Sequence, residues 1–515
     1  MLDHKKLDEV IEVTSKVKQN ANSESISQIK QYLQSSLPFH LFDNHEYTQN
    51  VILESFKLLR SQNNDLTLPM IEKDLEKKDA LPKFMQGLLW DNWESSEEEG
   101  TTVFLQNYAD RGPNNLKKKA YASGLTPDLY AEFYEKKVHH FFECMFAASN
   151  TDRPLMDIYR EGYLDLYWDL HLQVSPNDIP DFAKQIGLEF INCWAIFVPL
   201  NLNDPDQSLS FKKSYEYVRK YRPKLINWIS EHVEKIRSNP EQYKDTFVHY
   251  WLANDGGEGD GSFKNEDITF ECFHNYLALS QWGHTIYKMM ELLREDNTAD
   301  KAKQVQQKYY EIMCGNYQET DESGMSSLDY LAMEFFREIV PNGGSISRFY
   351  AAGRYSELVD ELNAHAHKPL ALSSLHWENP FEFNPDRFRD APKSHEIDLE
   401  NFKQVSGVAR CPFDHSAIET EDGRVVENNL YGTTYSKTAD GQVCPVIETA
   451  GFSSFGFGYR RCPGELLTVG VFKTFLQYIW DNKISFHQLK LENPEVMPIA
   501  PTTFITDNIG MQINK

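Results

Sequence analysis

Where apolar spacing in this chain is regular, it is helical. Leu129, Phe133, Val138, Phe141, Phe142 and Met145 form a near-helical stripe, the pattern that gathers apolar side chains on one helix face. Thr126 stands where an N-cap would, and Pro127 suits the first helical position, because its missing N–H would have no partner there. Residues 268–294 read as one long helix with Gly283 as its single interior breaker. Residues 328–339 and 466–480 read as two more, and residues 1–36 as one or two amphipathic helices. That first segment is expected to pack on the main body or to act as an interaction arm.

Polar stretches mark the connections. Residues 97–100, 255–262 and 321–327 are expected to be loops, and the chain has no internal repeat. The 255–262 stretch does not fit G-x-G-x-x-G and follows no clear strand, so no dinucleotide site is expected there. Residues 390–450 are rich in Asp, Glu, Gly and Asn, a long insertion of the kind that is usually functional or mobile. It holds Cys411, His415 and Cys444, which could supply three metal ligands but lack a fourth at recognisable spacing.

Candidate chemistry concentrates before the last helix, in Phe455-Gly-Phe-Gly-Tyr-Arg-Arg-Cys462-Pro-Gly-Glu465. Gly456, Gly458 and Gly464 let the backbone turn sharply and approach a flat surface closely. Pro463 suits the first position of the helix that follows. The positive end of that helix, with Arg460 and Arg461, favours Cys462 as a thiolate, a soft ligand suited to iron. The alternative is an inert buried cysteine beside a glycine turn.

This stretch resembles the heme-binding loop of the cytochrome P450 family, F-x-x-G-x-R-x-C-x-G, at every fixed position: Phe455, Gly458, Arg460, Cys462 and Gly464. The resemblance implies heme b, with Cys462 as the axial thiolate on iron and Arg460 paired with a propionate. It extends upstream. Glu334-Phe-Phe-Arg337 reads E-x-x-R, which alone is a common surface pair on a helix. Phe383-Asn-Pro-Asp-Arg387-Phe388 resembles the family's F-x-P-E-R-F, with Asp for Glu. Together these imply a buried structural network of Glu334, Arg337 and Arg387. Arg348 is placed where the family often has a second propionate-binding arginine. The family's W-x-x-x-R is not found near Lys117, Lys118 and Lys119, so those lysines receive no role. The implied fold is mainly α with small β-sheets. It makes residues 37–515 one P450-like heme domain, with 1–36 as a helical extension and 390–450 as an insertion. That expectation outweighs the about two to four domains that length alone admits.

The long helix at 268–294 departs from the family pattern. Family members that split dioxygen usually carry A/G-G-x-D/E-T in the helix over the heme. Aligned with residues 277–281, the pattern puts Ser280 at the acid and Gln281 at the alcohol. A shift of one turn brings His284 and Thr285 forward and does not restore the pair. Asn275, Ser280 and Gln281 can hydrogen-bond an oxygen or a substrate, or one another's neighbours on a polar helix face.

Composition narrows the partners. Hydrophobic residues at 41% and aromatics at 13% suffice for a large core and an apolar pocket. A formal net charge of −25 argues against a nucleic-acid partner, which would want a basic stripe. The seven cysteines are odd in number and without C-x-x-C, which argues against a disulfide framework and for a reducing, cytoplasmic setting. Near the start, no apolar run approaches the ~18 residues that span a bilayer, so no transmembrane anchor is expected. Three functions fit. One is a monooxygenase acting on an apolar or amphipathic small molecule, supplied with electrons by a ferredoxin or flavodoxin-type partner. Another is an electron-independent heme-thiolate enzyme that uses a peroxide, hydroperoxide or oxime. The last is a heme-binding sensor with an internal sixth ligand such as His284.

Overall fold

The computed structural model describes residues 40–41, 116–194, 205–255, 265–339, 344–348, 362–366, 371–372, 377–392, short pieces between 418 and 455, 462–500 and 503–514. The segment 1–36 lies outside the described residues. The helices are α1 (Leu116–Ser123), α2 (Glu135–Met145), α3 (Leu155–Leu172), α4 (Asp181–Trp194), α5 (Pro205–Ser238) and α6 (Phe247–Ala253). They continue with α7 (Asn265–Leu293), α8 (Asp300–Cys314), α9 (Ser327–Ile339), the short α10 (Asp386–Arg389) and α11 (Glu465–Asp481). None of the described helices is long and apolar enough to cross a membrane.

Strands are short and sit in small sheets. β1 (His40–Leu41) pairs parallel with β3 (Leu362–Ala366), which pairs antiparallel with β2 (Gly344–Arg348). Within the polar insertion, β4 (Ile418–Glu419) pairs with β5 (Val425–Val426), and β6 (Tyr435–Lys437) with β7 (Val443–Pro445). Part of that insertion is therefore regular. Thr434, at its inner edge, is buried and donates from its hydroxyl to Met325 Sδ at 3.4 Å, ahead of α9. After α11, β8 (Ile484–Gln488) pairs with β11 (Ile509–Ile513), and β9 (Val496–Ala500) with β10 (Thr503–Thr506), all antiparallel.

The stripe beginning at Leu129 does become helix, with one adjustment. The step from Phe133 to Val138 is a residue too long for an α-helical face. The chain accommodates it in a π turn, Tyr130–Tyr134, between a helical turn at Pro127–Leu129 and α2. Leu129, Tyr130, Tyr134, Val138 and Phe142 all stay buried as a result. Thr126 precedes the first turn but its side chain makes no capping bond. Its hydroxyl is turned inward and finds no partner among the described residues.

α7 is the axis of the molecule. It packs against α3, α4, α5, α8, α11 and β9. Most of its turns are enclosed by protein, so its residues are apolar or hydrogen-bonded on several sides rather than along one stripe. Two tyrosines on α3 donate to its backbone: Tyr163 Oη to Tyr276 O at 3.0 Å, and Tyr167 Oη to Cys272 O. They lie four residues apart on α3, so one face of that helix presents both hydroxyls to α7. Gly283 lets Tyr159 pack in the same row, since a Cβ there would lie 2.7 Å from the Tyr159 ring.

Candidate functional site

The cysteine stretch enters the core through aromatic packing. Phe455 packs against Phe336 of α9 with ring centroids 4.8 Å apart and planes tilted by 54°, and Ser454 donates to Phe336 O. Cys462 N then donates to Phe455 O at 2.8 Å, closing the loop. α11 starts two residues later than Pro463. Gly464 is its N-cap, with φ −90° and ψ 13°, and Glu465 is its first residue. Pro463 therefore belongs to the turn that closes on Phe455, not to the first helical position. Cys462 is a half-buried cysteine just ahead of a helix N-terminus.

Two polar contacts fix what surrounds it. Trp282 of α7 donates from Nε1 to Thr468 Oγ1 at 3.1 Å, tying α7 to the first turn of α11. Thr468 in turn donates to Gly464 O at 2.9 Å. On another side, Leu125 at the end of α1 approaches to 3.9 Å of the Cβ position of Gly464, and Cys462 Sγ lies 3.8 Å from the same point.

Behind the loop, the structure brings Glu334, Arg337 and Arg387 together. Arg337 grips Glu334 bidentately, Nε to Oε2 at 2.7 Å and Nη2 to Oε1 at 2.8 Å. Arg387 Nε adds 3.2 and 3.1 Å contacts to the same carboxylate. Glu334 and Arg337 are both at 0% exposure, where an unpaired charge is not tolerated. The remaining donors are also used. Arg337 Nη1 donates to Ala371 O at 2.8 Å and Pro380 O at 2.9 Å, and Arg387 to the carbonyls of Glu378, Asn379 and Glu382. Asn384 N donates to Glu334 Oε1 at 2.8 Å. Burial pushes the Arg387 guanidinium down and the Glu334 charge opposes that shift. Lys473 of α11 pairs with buried Asp329 of α9 at 2.7 Å, so the network and the cysteine helix are held as one unit.

The α7 candidates Asn275, Ser280 and Gln281 have neutral side chains. Asn275 is buried, with its Oδ1 accepting from Tyr121 Oη at 2.6 Å and its Nδ2 3.0 Å from His171 Nε2. Both ends of its amide are thus engaged within the protein. Gln281 is half-buried, and its carbonyl accepts from Thr285 Oγ1 at 3.1 Å. Ser280 lies on α7 with its side chain outside the described residues, as does the side chain of Arg348 on β2. Gly458, Arg460, Cys411 and His415 also lie outside, and Cys444 lies on β7 with its side chain undescribed. Among the described residues no cluster of His, Cys, Asp and Glu could hold a metal ion.

Sequence reasoning missed Tyr121 and His171. They stand 154 and 104 residues from Asn275, so no local spacing connects them. The one hint was compositional, an aromatic run around Tyr167 and Trp168 that ends at His171.

The geometry has counterparts among solved structures. A mutant cytochrome P450 heme domain matches with a TM-score of 0.53 at 11% identity, over 83% of this chain and 82% of that one. Another cytochrome P450 matches with a TM-score of 0.49 at 11% identity, over 84% of this chain and 83% of that one. The fold assignment rests on the first. No family model matches the sequence, and no curated protein does. The chain has a cytochrome P450-like fold, mainly α with small sheets.

Proposed function

We propose that this protein is a heme-thiolate oxidoreductase of cytochrome P450 type that monooxygenates an apolar or amphipathic small molecule. The observation that carries the reading is Cys462: a half-buried cysteine on a closed loop ahead of α11, within a P450-like fold. The donor chemistry fits a heme iron. One soft sulfur is offered, its backbone N–H is already satisfied by Phe455 O, and a helix N-terminus stabilises its anionic form. Cys462 would hold the iron, while Arg460 and Arg348 would meet the propionates. Thiolate-ligated heme supplies oxygen-insertion and peroxide chemistry when bound.

The chain's own residues do the rest. Glu334, Arg337 and Arg387 keep the cysteine loop in place by fixing α9 against the segment at 377–392. Trp282 and Thr468 hold α7 to the cysteine helix. Buried Phe335, Phe336 and Phe472, with half-buried Phe455, exclude water from the inner side of the loop. Electrons would come from a ferredoxin or flavodoxin-type partner.

One observation favours a second reading, turnover of a peroxide or pre-oxidised substrate without external electrons. No carboxylate lies on α7 between Glu271 and Glu291, and the Thr285 hydroxyl is committed to Gln281 O. Dioxygen chemistry needs protons delivered in order, and general acid–base groups typically contribute about 100- to 10,000-fold. The test compares product formed per heme with a surrogate reductase and with hydrogen peroxide. Tight coupling of reductant to product with no peroxide activity supports the monooxygenase. Peroxide turnover that equals or exceeds the reductase-driven rate supports the second reading. Purified protein that takes up no heme overturns both.

A further inference from the structure

The hydrogen bonds that run from α7 to the start of α11 have a fixed direction. An indole N–H can only donate, so Trp282 Nε1, 3.1 Å from Thr468 Oγ1, makes that hydroxyl an acceptor. The hydroxyl's own proton goes to Gly464 O, 2.9 Å away. Gly464 O also accepts from Thr468 N at 2.9 Å, the first intrahelical bond of α11. One carbonyl therefore takes two donors from one residue, and the indole polarises one of them. The donor end is anchored. Trp282 is 3% exposed, and beside it the Tyr159 ring occupies the space that a Cβ of Gly283 would need.

The carbonyl that receives them stands beside the cysteine. Gly464 is the N-cap of α11, two residues after Cys462, and the sulfur lies 3.8 Å from the point where a Cβ of Gly464 would stand. Gly464 O shares its peptide unit with the N–H of Glu465, the first residue of α11. N–H groups at a helix start have no partner inside the helix and carry its positive end. Hydrogen bonds received by a carbonyl draw electrons through the peptide unit and make its N–H more positive. The Trp282–Thr468 pair thus adds to the positive end of α11 next to Cys462. Packing alone would not need this polarity, since valine fills the same space as threonine.

We propose that Trp282 is a positioning residue that acts on Cys462 through Thr468. It keeps the Thr468 hydroxyl aimed at Gly464 O, and the helix end so strengthened draws charge from the cysteine sulfur. A less electron-rich thiolate stabilises the reduced iron relative to the oxidised one, so the pair raises the reduction potential of the heme. Hydrogen bonding outside the ligand itself is one of the levers by which a protein sets that potential. This rests on the heme-thiolate reading.

The test is a redox titration of heme-loaded protein, followed by its absorption spectrum, for the wild type, Trp282→Phe, Thr468→Val and Thr468→Ser. Trp282→Phe keeps a ring and loses the donor, while Thr468→Val keeps the shape and loses the hydroxyl. Both are expected to move the midpoint to more negative potential. The double variant is expected to move it no further than Thr468→Val alone, because the two groups act in series. Thr468→Ser keeps the hydroxyl and is expected to stay at the wild-type midpoint. A tie that only joins two helices would lower stability and heme content and leave the midpoint in place. Midpoints that are unchanged or more positive in Trp282→Phe and Thr468→Val overturn the proposal, as does an equal shift in Thr468→Ser and Thr468→Val. Should Trp282→Phe bind no heme, the two Thr468 variants decide in the same way. Heme-loaded protein with unshifted variants sinks this inference alone, whereas wild-type protein that binds no heme sinks the heme-thiolate reading and this inference with it.

Discussion

Glu334 on α9 and Asn275 on α7 are equally hidden, at 0% and 1% exposure, but they are satisfied by different chemistry. Around Glu334 the protein uses full charges: two guanidinium groups on one carboxylate, with the remaining N–H groups on backbone carbonyls. Around Asn275 it uses neutral groups in a directional series. The first arrangement is rigid and unforgiving, since removing either sign strands the other in a low dielectric. The second tolerates loss better but fixes orientation. The cysteine side of the molecule is thus built for position and the α7 side for polarity.

Glu334→Ala tests that contrast with the largest expected effect. It leaves Arg337 charged and buried and Arg387 charged and half-buried, at a cost of about 3–5 kcal/mol. The expected outcome is a steep drop in folded, heme-loaded protein, measured by chemical denaturation and heme content. An equally stable, heme-replete variant would break the comparison at its strong end. Asn275→Leu comes next. It leaves His171 Nε2 and Tyr121 Oη without their buried partner and is expected to cost about 1–3 kcal/mol. A loss as large as that for Glu334→Ala would mean that the two sides do not differ.

Asp507 sharpens the comparison because it is a buried carboxylate with no cation on it among the described residues. At 1% exposure it accepts from Met156 N at 3.2 Å and Asp157 N at 2.7 Å, the first turn of α3. Burial raises its pKa to about 6 from 3.8, against the pull of those two N–H groups, with the Asp157 and Glu495 charges adding to the rise. The folded state therefore holds this proton more tightly than the unfolded one. Its contribution to stability is full below about pH 4 and is lost as pH rises through about 6. Asp507→Asn removes the titration. The difference in melting temperature, variant minus wild type, is expected to grow in the variant's favour between those two pH values. A flat difference across the window contradicts the assignment. Thr126→Val has the smallest expected effect. Its buried hydroxyl finds no partner among the described residues, so removing it should be neutral or stabilising by up to about 1 kcal/mol in thermal unfolding.

What could be read from the sequence follows the same division. Glu334 and Arg337 are three residues apart in a helix, and Arg387 follows in a compact aromatic and proline pattern, so local spacing announced the elements that the fold then joins. The helices at 268–294, 328–339 and 466–480 came within a few residues of α7, α9 and α11, since long apolar periodicity survives tertiary packing. Helix starts were less legible. Thr126 and Pro463 have the right residue types, but tertiary contacts turned one hydroxyl inward and drew the other residue into the turn before the helix. Tyr121, His171 and Asp507 could not be picked out by local spacing. Each acts through a partner more than a hundred residues away, and nothing local marks such a pair. The strands after α11 were expected only as unplaced small sheets, because short mixed-burial segments carry little periodic signal.

The most direct test of the central claim is the absorption spectrum of the reduced carbon-monoxide complex, recorded for the wild-type protein and for Cys462→Ala. The account predicts the red-shifted Soret band characteristic of thiolate ligation in the wild type, and its loss in Cys462→Ala while Cys411→Ala and Cys444→Ala retain it. A wild-type band typical of nitrogen-ligated heme, or a thiolate band that survives in Cys462→Ala, would contradict it.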